Sequence, residues 1–150
     1  MFLRYRCFPV GVVFAALLLC ACSLSGGYNA SALHQLQSLQ AEHEGFLQQF
    51  SVDTSPTLDA AALAAADEAL NNHFEQAIDQ SLTLGDSLRT DTLEQLEYLY
   101  ACDHTTLMRQ QRPFSHAQLM LTLAQDNAAW QRAISGETRR RGGENHGSAQ

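Results

Sequence analysis

The chain contains no lysine and few basic residues of any kind. Its 150 residues include nine arginines against sixteen aspartates and glutamates, and the formal net charge is −7. Nucleic-acid binding depends on neutralising phosphates with lysine and arginine, so this balance argues against a nucleic-acid partner. It also argues against a broad electrostatic attraction of the whole chain to anionic lipid.

The motifs of common catalytic and cofactor sites are also missing. The sequence has no Glu-x-x-His pair for a di-iron bundle, no C-x-x-C-H for haem attachment and no H-E-x-x-H for zinc. It also lacks the G-x-S-x-G motif and a glycine-rich phosphate loop. We therefore expect no enzyme activity, no catalytic residue, no metal and no cofactor.

The apolar run near the N-terminus is too short for a membrane span. It covers residues 10–20, is interrupted by Gly11 and follows Arg4 and Arg6. A transmembrane helix needs about 20 apolar residues. A short positive segment, a short apolar run and then small polar residues are typical of an export signal.

The end of this signal, Leu19-Cys20-Ala21-Cys22, resembles the lipobox of bacterial lipoproteins. Leucine at −3, a small residue at −1 and the cysteine match the pattern, whereas Cys20 stands where alanine, serine or threonine is usual. The resemblance implies diacylglycerol on the Cys22 sulfur, cleavage before Cys22 and acylation of the new N-terminus, typically by palmitate. In a Gram-negative host, Ser23 rather than aspartate implies the outer membrane, with the protein facing the periplasm.

Two other fates of the signal stay open. Ala21-Cys22-Ser23 also fits a small-x-small cleavage site, and cleavage after Ser23 would discard the cysteine and give ordinary secretion. Alternatively, the segment stays uncleaved as an anchor. From Cys22 onward the chain has seven arginines and sixteen acids, hence a formal charge of −9.

Four parts are expected along the chain. They are a signal peptide at 1–21, the lipidated cysteine with a short linker at 22–30, a helical domain at 31–136 and a glycine-rich, polar, disordered tail at 137–150. Apolar residues spaced three and four apart predict helices near 32–50, 58–84, 92–111 and 115–136.

The boundaries of these helices carry recognisable signals. Gly85 is a left-handed stop, Ser115 and Gln118 form a capping box, and Phe114 and Leu119 occupy the staple positions. The sequence therefore predicts an all-α fold, a small antiparallel four-helix bundle. The alternative is a pair of long helical hairpins that closes only on a partner.

A polar residue interrupts or adjoins each apolar stripe near its middle. These residues are His43, His73, Asp103 and Asn127. In an antiparallel bundle their heights match, so they could form a buried polar layer or line a small pocket. Alternatively, drift of the stripes around straight helices places them at the edges, in water.

Cys102 is the only free cysteine of the mature chain if Cys22 is acylated. Residues two apart on a helix do not face each other, so Cys102 and His104 cannot easily share a metal ion. We expect a partly buried thiol beside a surface histidine. Any disulfide of Cys102 then joins two molecules.

The acids are unevenly distributed, with thirteen from Glu42 to Asp103. They form either a solubilising face or a docking surface for a basic partner. The leading hypothesis is a non-catalytic accessory lipoprotein, held at the membrane by lipid, that binds an envelope protein as an assembly factor, pilotin-like adaptor or regulator. The alternative is a ligand-binding helical module with a polar pocket in its core.

Replacing Cys22 with serine should abolish lipid attachment, because serine offers no sulfur for the diacylglycerol. Cells that express either form are labelled with a fatty-acid probe, and the label is followed on a gel. Wild type should carry the label and the variant should not. Label that persists on the variant would refute a lipid at Cys22.

Overall fold

The computed structural model describes residues 27–147, with side chains through residue 140. These residues form the helices α1 Ala30–Gln49, α2 Ala60–Thr83, α3 Ser87–Gln110 and α4 His116–Gly147. Each helix packs against the next, and α4 packs back against α1. The fold is the expected all-α four-helix bundle, with α1 diagonally opposite α3.

The expected signal peptide and Cys22 lie outside the described residues, so lipid attachment stays a prediction. Within residues 27–147, none of the helices combines enough length with enough apolar sequence to cross a bilayer.

Side-chain caps explain where the helices begin. Asn29, Asp59 and Asp86 each accept hydrogen bonds from backbone N–H groups in the first turn of the helix that follows. At α4, the Ser115 N–H donates to Gln118 Oε1 at 3.0 Å and the Gln118 N–H donates to Ser115 Oγ at 3.3 Å. The predicted capping box is therefore confirmed.

Gly85 makes the turn between α2 and α3. Its φ of 68° is left-handed, and its N–H donates to the Leu82 carbonyl at 2.9 Å. The predicted helix stop is confirmed, because only glycine adopts this conformation without a steric penalty. The helix α3 begins at Ser87, earlier than the expected 92, since Asp86 caps it directly after the turn.

Two connections are tied together at the opposite end of the bundle. The Val52 N–H donates to the Phe114 carbonyl at 2.8 Å, and the Phe114 N–H donates to the Phe50 carbonyl at 2.9 Å. These two hydrogen bonds join the α1–α2 connection to the α3–α4 connection. They hold the start of α4 close to the end of α1.

The predicted end of the fourth helix is wrong. The helix α4 continues through Gly136 to Gly147, so the expected disordered tail is helical over 137–147, and residues 148–150 lie outside the described part. A glycine inside a helix costs about 1 kcal/mol. Glu137, the next residue, is buried and forms an ion pair with Arg89, so the helix makes a tertiary contact directly after this glycine.

Three aromatic rings fill the centre of the core. Phe74, Tyr100 and Trp130 are each 0% exposed. The Phe74 ring lies 6.0 Å from that of Tyr100 and 6.2 Å from that of Trp130, between ring centroids. The rings come from α2, α3 and α4, so they join three helices at one height.

Trp130→Ala should lower the free energy of unfolding by about 3–5 kcal/mol, because it leaves a cavity among these rings. Leu121→Ala is the matched control, since Leu121 lies on the same helix and is 61% exposed. The control should stay within about 0.5 kcal/mol of wild type. Urea unfolding followed by circular dichroism measures both. Equal midpoints for wild type and Trp130→Ala would contradict a central position for Trp130.

Candidate functional site

Four polar and aromatic side chains meet in the middle of the bundle, and we call them the His43 cluster. Its members are His43 of α1, Asp103 of α3, and Asp126 and Trp130 of α4. His43 is 1% exposed although it is polar. Asp126 and Trp130 are four residues apart, so they project from the same face of α4.

The hydrogen bonds of His43 decide which ring nitrogen carries the proton. Trp130 Nε1–H donates to His43 Nδ1 at 3.2 Å. An indole N–H can only donate, so Nδ1 acts as an acceptor and carries no proton. The proton of the neutral ring is then on Nε2, which donates to Asp103 Oδ2 at 3.0 Å. His43 thus links α1, α3 and α4 through one tautomer.

Asp126 completes the cluster as a buried acid. It is 4% exposed, and its Oδ2 atom, which lies 3.9 Å from His43 Nε2, has no hydrogen-bond partner. Burial, together with the charge of Asp103 and a hydrogen bond to Asp103, raises the pKa of Asp126 to about 8. Two adjacent carboxylates cannot both ionise readily. Asp126 therefore keeps a proton near neutral pH and shares it with Asp103.

Three of these residues are spaced closely enough to hold a metal ion. One ligand atom each from His43, Asp103 and Asp126 lies within 4.8 Å of the others. A metal ion would need the lone pair of Nε2, and a metal-bound histidine ordinarily donates its other N–H to an acceptor. Here the group facing Nδ1 is the Trp130 donor, which leaves the proton on Nε2. The arrangement suits a shared proton better than a cation.

The structure brings together two of the four residues expected in a polar layer. His43 and Asp103 are in direct contact, whereas His73 and Asn127 lie outside the cluster. His73 pairs with Glu42, and its side chain is 52% exposed. For His73 and Asn127, the edge position left open by the sequence is the one observed.

Sequence reasoning missed Asp126 by one position. The sequence predicted that Asn127 interrupts the apolar stripe of α4, but Asn127 is exposed. The buried stripe instead runs from Leu119 through Asp126 to Trp130. Leu119 was already assigned to the hydrophobic staple, which must face the bundle. Starting the stripe from that residue would have placed Asp126 inside.

A second buried set, which we call the Arg89 network, lies at the end of the bundle where α1 begins. Arg89 donates from Nε and Nη2 to the two Glu137 oxygens at 3.2 and 2.8 Å, and its Nη1 lies 2.9 Å from Asp86 Oδ2. Arg140 also pairs with Asp86. Burial alone would raise the pKa of Asp86, but hydrogen bonds and charges from Arg140 and Arg89 outweigh it and lower that pKa.

Cys102 and His104 have the opposite exposures to those expected. Cys102 is an exposed free thiol, so the predicted partial burial is wrong, while the side chain of His104 is only 23% exposed. His104 Nδ1 lies 3.5 Å from Asp67 Oδ1. The same Asp67 oxygen accepts a hydrogen bond from the Tyr100 hydroxyl at 2.6 Å. Burial and the hydrogen bond to Asp67 raise the pKa of Tyr100. An intermolecular disulfide of Cys102 stays a prediction.

Asp126→Asn should change how stability depends on pH. The pKa of Asp126 lies near 8 in the folded protein and near 4 in an unfolded chain. Folding therefore takes up a proton between these values, and wild type loses up to about 1.4 kcal/mol of unfolding free energy per pH unit as pH rises. Asparagine cannot titrate, so the unfolding free energy of the variant should not show this fall. Its stability relative to wild type should therefore increase with pH up to pH 8.

Unfolding curves in urea at pH 5, 6, 7 and 8 measure this difference. Glu68→Gln is the matched control, because Glu68 is exposed on α2 and its neutralisation leaves the cluster intact. The control should keep the wild-type slope. Stability profiles that run parallel for wild type and Asp126→Asn would show that Asp126 holds no proton.

The described residues thus contain a buried proton-sharing cluster and a buried ion-pair network. Comparison with known proteins gives no match to a protein family, to a curated protein or to a solved structure. The function of this chain is therefore inferred from its own side chains.

Proposed function

We propose that this protein is a membrane-anchored, non-catalytic accessory lipoprotein that holds a protein partner at the periplasmic side of the outer membrane. The anchor is the lipid on Cys22, for which the support is the signal layout and the Leu19–Cys22 string. The partner is an envelope protein, and the chain acts on it as an assembly factor, adaptor or regulator. The observation that supports a protein partner is the exposed outer face of α3.

The buried chemistry favours a binding role over catalysis. His43 and Asp126, the residues most suited to proton transfer, are 1% and 4% exposed. A substrate would have to separate α1, α3 and α4 to reach them. The same packing argues against a ligand pocket in the core, since the polar side chains of the His43 cluster contact one another directly.

The outer face of α3 has the features of a contact surface. Tyr98 is 73% exposed and Met108 is 54% exposed. A groove beside Tyr98 is also lined by Cys102 and Arg109. Tyrosine and methionine are enriched where proteins bind each other. This helix lies diagonally across from α1, so the face is also remote from the α1 surface.

Acids lie beside this tyrosine, because Asp91 and Glu94 line a groove with it. Glu97 is adjacent to Tyr98 in sequence, and its pKa is raised by partial burial and then by the charges of Glu75 and Glu94. The three carboxylates therefore repel one another in the isolated chain. A basic surface on the partner would relieve this repulsion, and complementary charge would speed the encounter.

A photoreactive amino acid at position 98 should capture the partner in intact cells. The matched control carries the same amino acid in place of Gln37, which is exposed on α1. We expect one reproducible adduct from position 98 and none of that mass from position 37. Glu94→Gln combined with Glu97→Gln should lower the yield, because it removes two of the charges that attract a basic partner.

Three results would count against the proposal. The first is no adduct at position 98 under conditions in which the reactive group is shown to be active. The second is the same set of adducts from positions 98 and 37. The third is an adduct that consists of two copies of this chain, which would make the α3 face a site of self-association.

A further inference from the structure

The turn between α2 and α3 exposes three leucines at one end of the bundle. We call residues 82–88 the hairpin tip. Leu82, Leu84 and Leu88 within it are 58%, 54% and 54% exposed. Single exposed leucines are common on soluble proteins, whereas three within seven residues concentrate apolar surface at one end, as is typical of contact sites.

The hairpin tip presents no unpaired charge. Asp86 and Arg89 are the charged residues between Asp79 and Asp91, and they are 1% and 5% exposed within the Arg89 network. Asp79 and Asp91 are exposed, but they lie away from the tip. Asp79 precedes Leu82 by three residues, and Asp91 follows Leu88 by three. Moving the tip out of water therefore strips no charged group of its hydration.

The chain enters the bundle at this same end. The Gly27 carbonyl accepts a hydrogen bond from Arg89 Nη2 at 3.3 Å, and the Asn29 N–H donates to Glu137 Oε1 at 3.1 Å. Four residues separate Gly27 from Cys22. Even a fully extended chain spans at most about 3.6 Å per residue, so Gly27 lies within about 18 Å of the Cys22 Cα atom.

Exposed arginines accompany the leucines. Arg132 and Arg139 lie on α4 on either side of Gly136, and both are exposed. Arg132 and Leu88 line one groove together with Arg140. A guanidinium group binds phosphate oxygens through two parallel hydrogen bonds, so this end combines apolar side chains with groups suited to lipid phosphates.

We infer that the hairpin tip inserts its leucines into the phospholipid surface that holds Cys22, while Arg132 and Arg139 contact lipid phosphates. The inference rests on the proposed lipid anchor and adds a second, non-covalent contact with the membrane. The helix α4 continues seven residues past Arg140, or about 10 Å along its axis. The helix axes are therefore inclined to the membrane, with the α2–α3 hairpin nearer to the lipid.

A fluorescent probe that responds to polarity tests this contact in the lipidated protein. The protein is purified from cells with Cys102→Ser and Leu84→Cys, labelled at residue 84, and reconstituted into vesicles of phosphatidylethanolamine and phosphatidylglycerol. Probe fluorescence should rise about twofold and shift to the blue, because the probe leaves water for the acyl boundary. Lipids with a spin label in their upper acyl chains should quench it.

Two further variants serve as control and cross-check. Leu121→Cys carries the same probe near the start of α4, at the opposite end of the bundle, where Leu121 is 61% exposed. Its fluorescence should stay as in water. Leu82→Ser with Leu88→Ser should lower the gain at residue 84, since these changes remove the neighbouring apolar side chains from the tip.

Flotation of the vesicles separates failure of the anchor from failure of the tip. Protein that does not float with the vesicles would overturn the lipid anchor and this inference with it. Protein that floats while residues 84 and 121 give equal signals would overturn only the inference. A blue shift that appears without vesicles and grows with protein concentration would place a second copy on the tip, which also overturns it.

Discussion

The hydrogen bonds of a single buried histidine set the register of the bundle. A buried polar group left without a partner costs about 1–3 kcal/mol, so His43 is tolerated only where both ring nitrogens are satisfied. Trp130 and Asp103 meet that requirement from two different helices. A shift of any of the three helices along its axis would break at least one of these bonds. The aromatic packing around them depends on this alignment, because the Tyr100 ring lies 5.4 Å from that of His43.

Local sequence signals predicted the helices well and their limits less well. Periodicity, the Ser115 capping box and Gly85 sufficed for the fold, because each acts within a few residues. Past Gly136, Glu137 pairs with Arg89, 48 residues away in sequence, and a local pattern carries no signal of such a contact. In the candidate site, His43 and Asp103 could be predicted from stripe positions. Asp126 could not be separated from its neighbour, since one residue of helix rotation decides which of the two faces inward.

The two main sets of polar interactions lie inside the bundle, whereas most other acids lie on its surface. Within the Arg89 network, two arginines neutralise Asp86 and Glu137. The His43 cluster holds a proton rather than a second negative charge. Most acids on α2 and α3 are exposed, as is Tyr98; the exposed acids are Glu68, Glu75, Asp79, Asp91 and Glu94. This division leaves two exterior regions of different character, an acidic face along α3 that carries Tyr98 and an apolar turn at one end.

The contacts ahead of α1 have a mechanical consequence. Arg89 holds the Gly27 carbonyl and Glu137 holds the Asn29 N–H, so the incoming chain is bonded to α3 and α4 before its own helix starts. A pull on that chain reaches the Gly27 bond first and the Asn29 bond next. Both bonds must therefore break before the first turn of α1 bears the load. A helix without such bonds would begin to unwind from its free end at once.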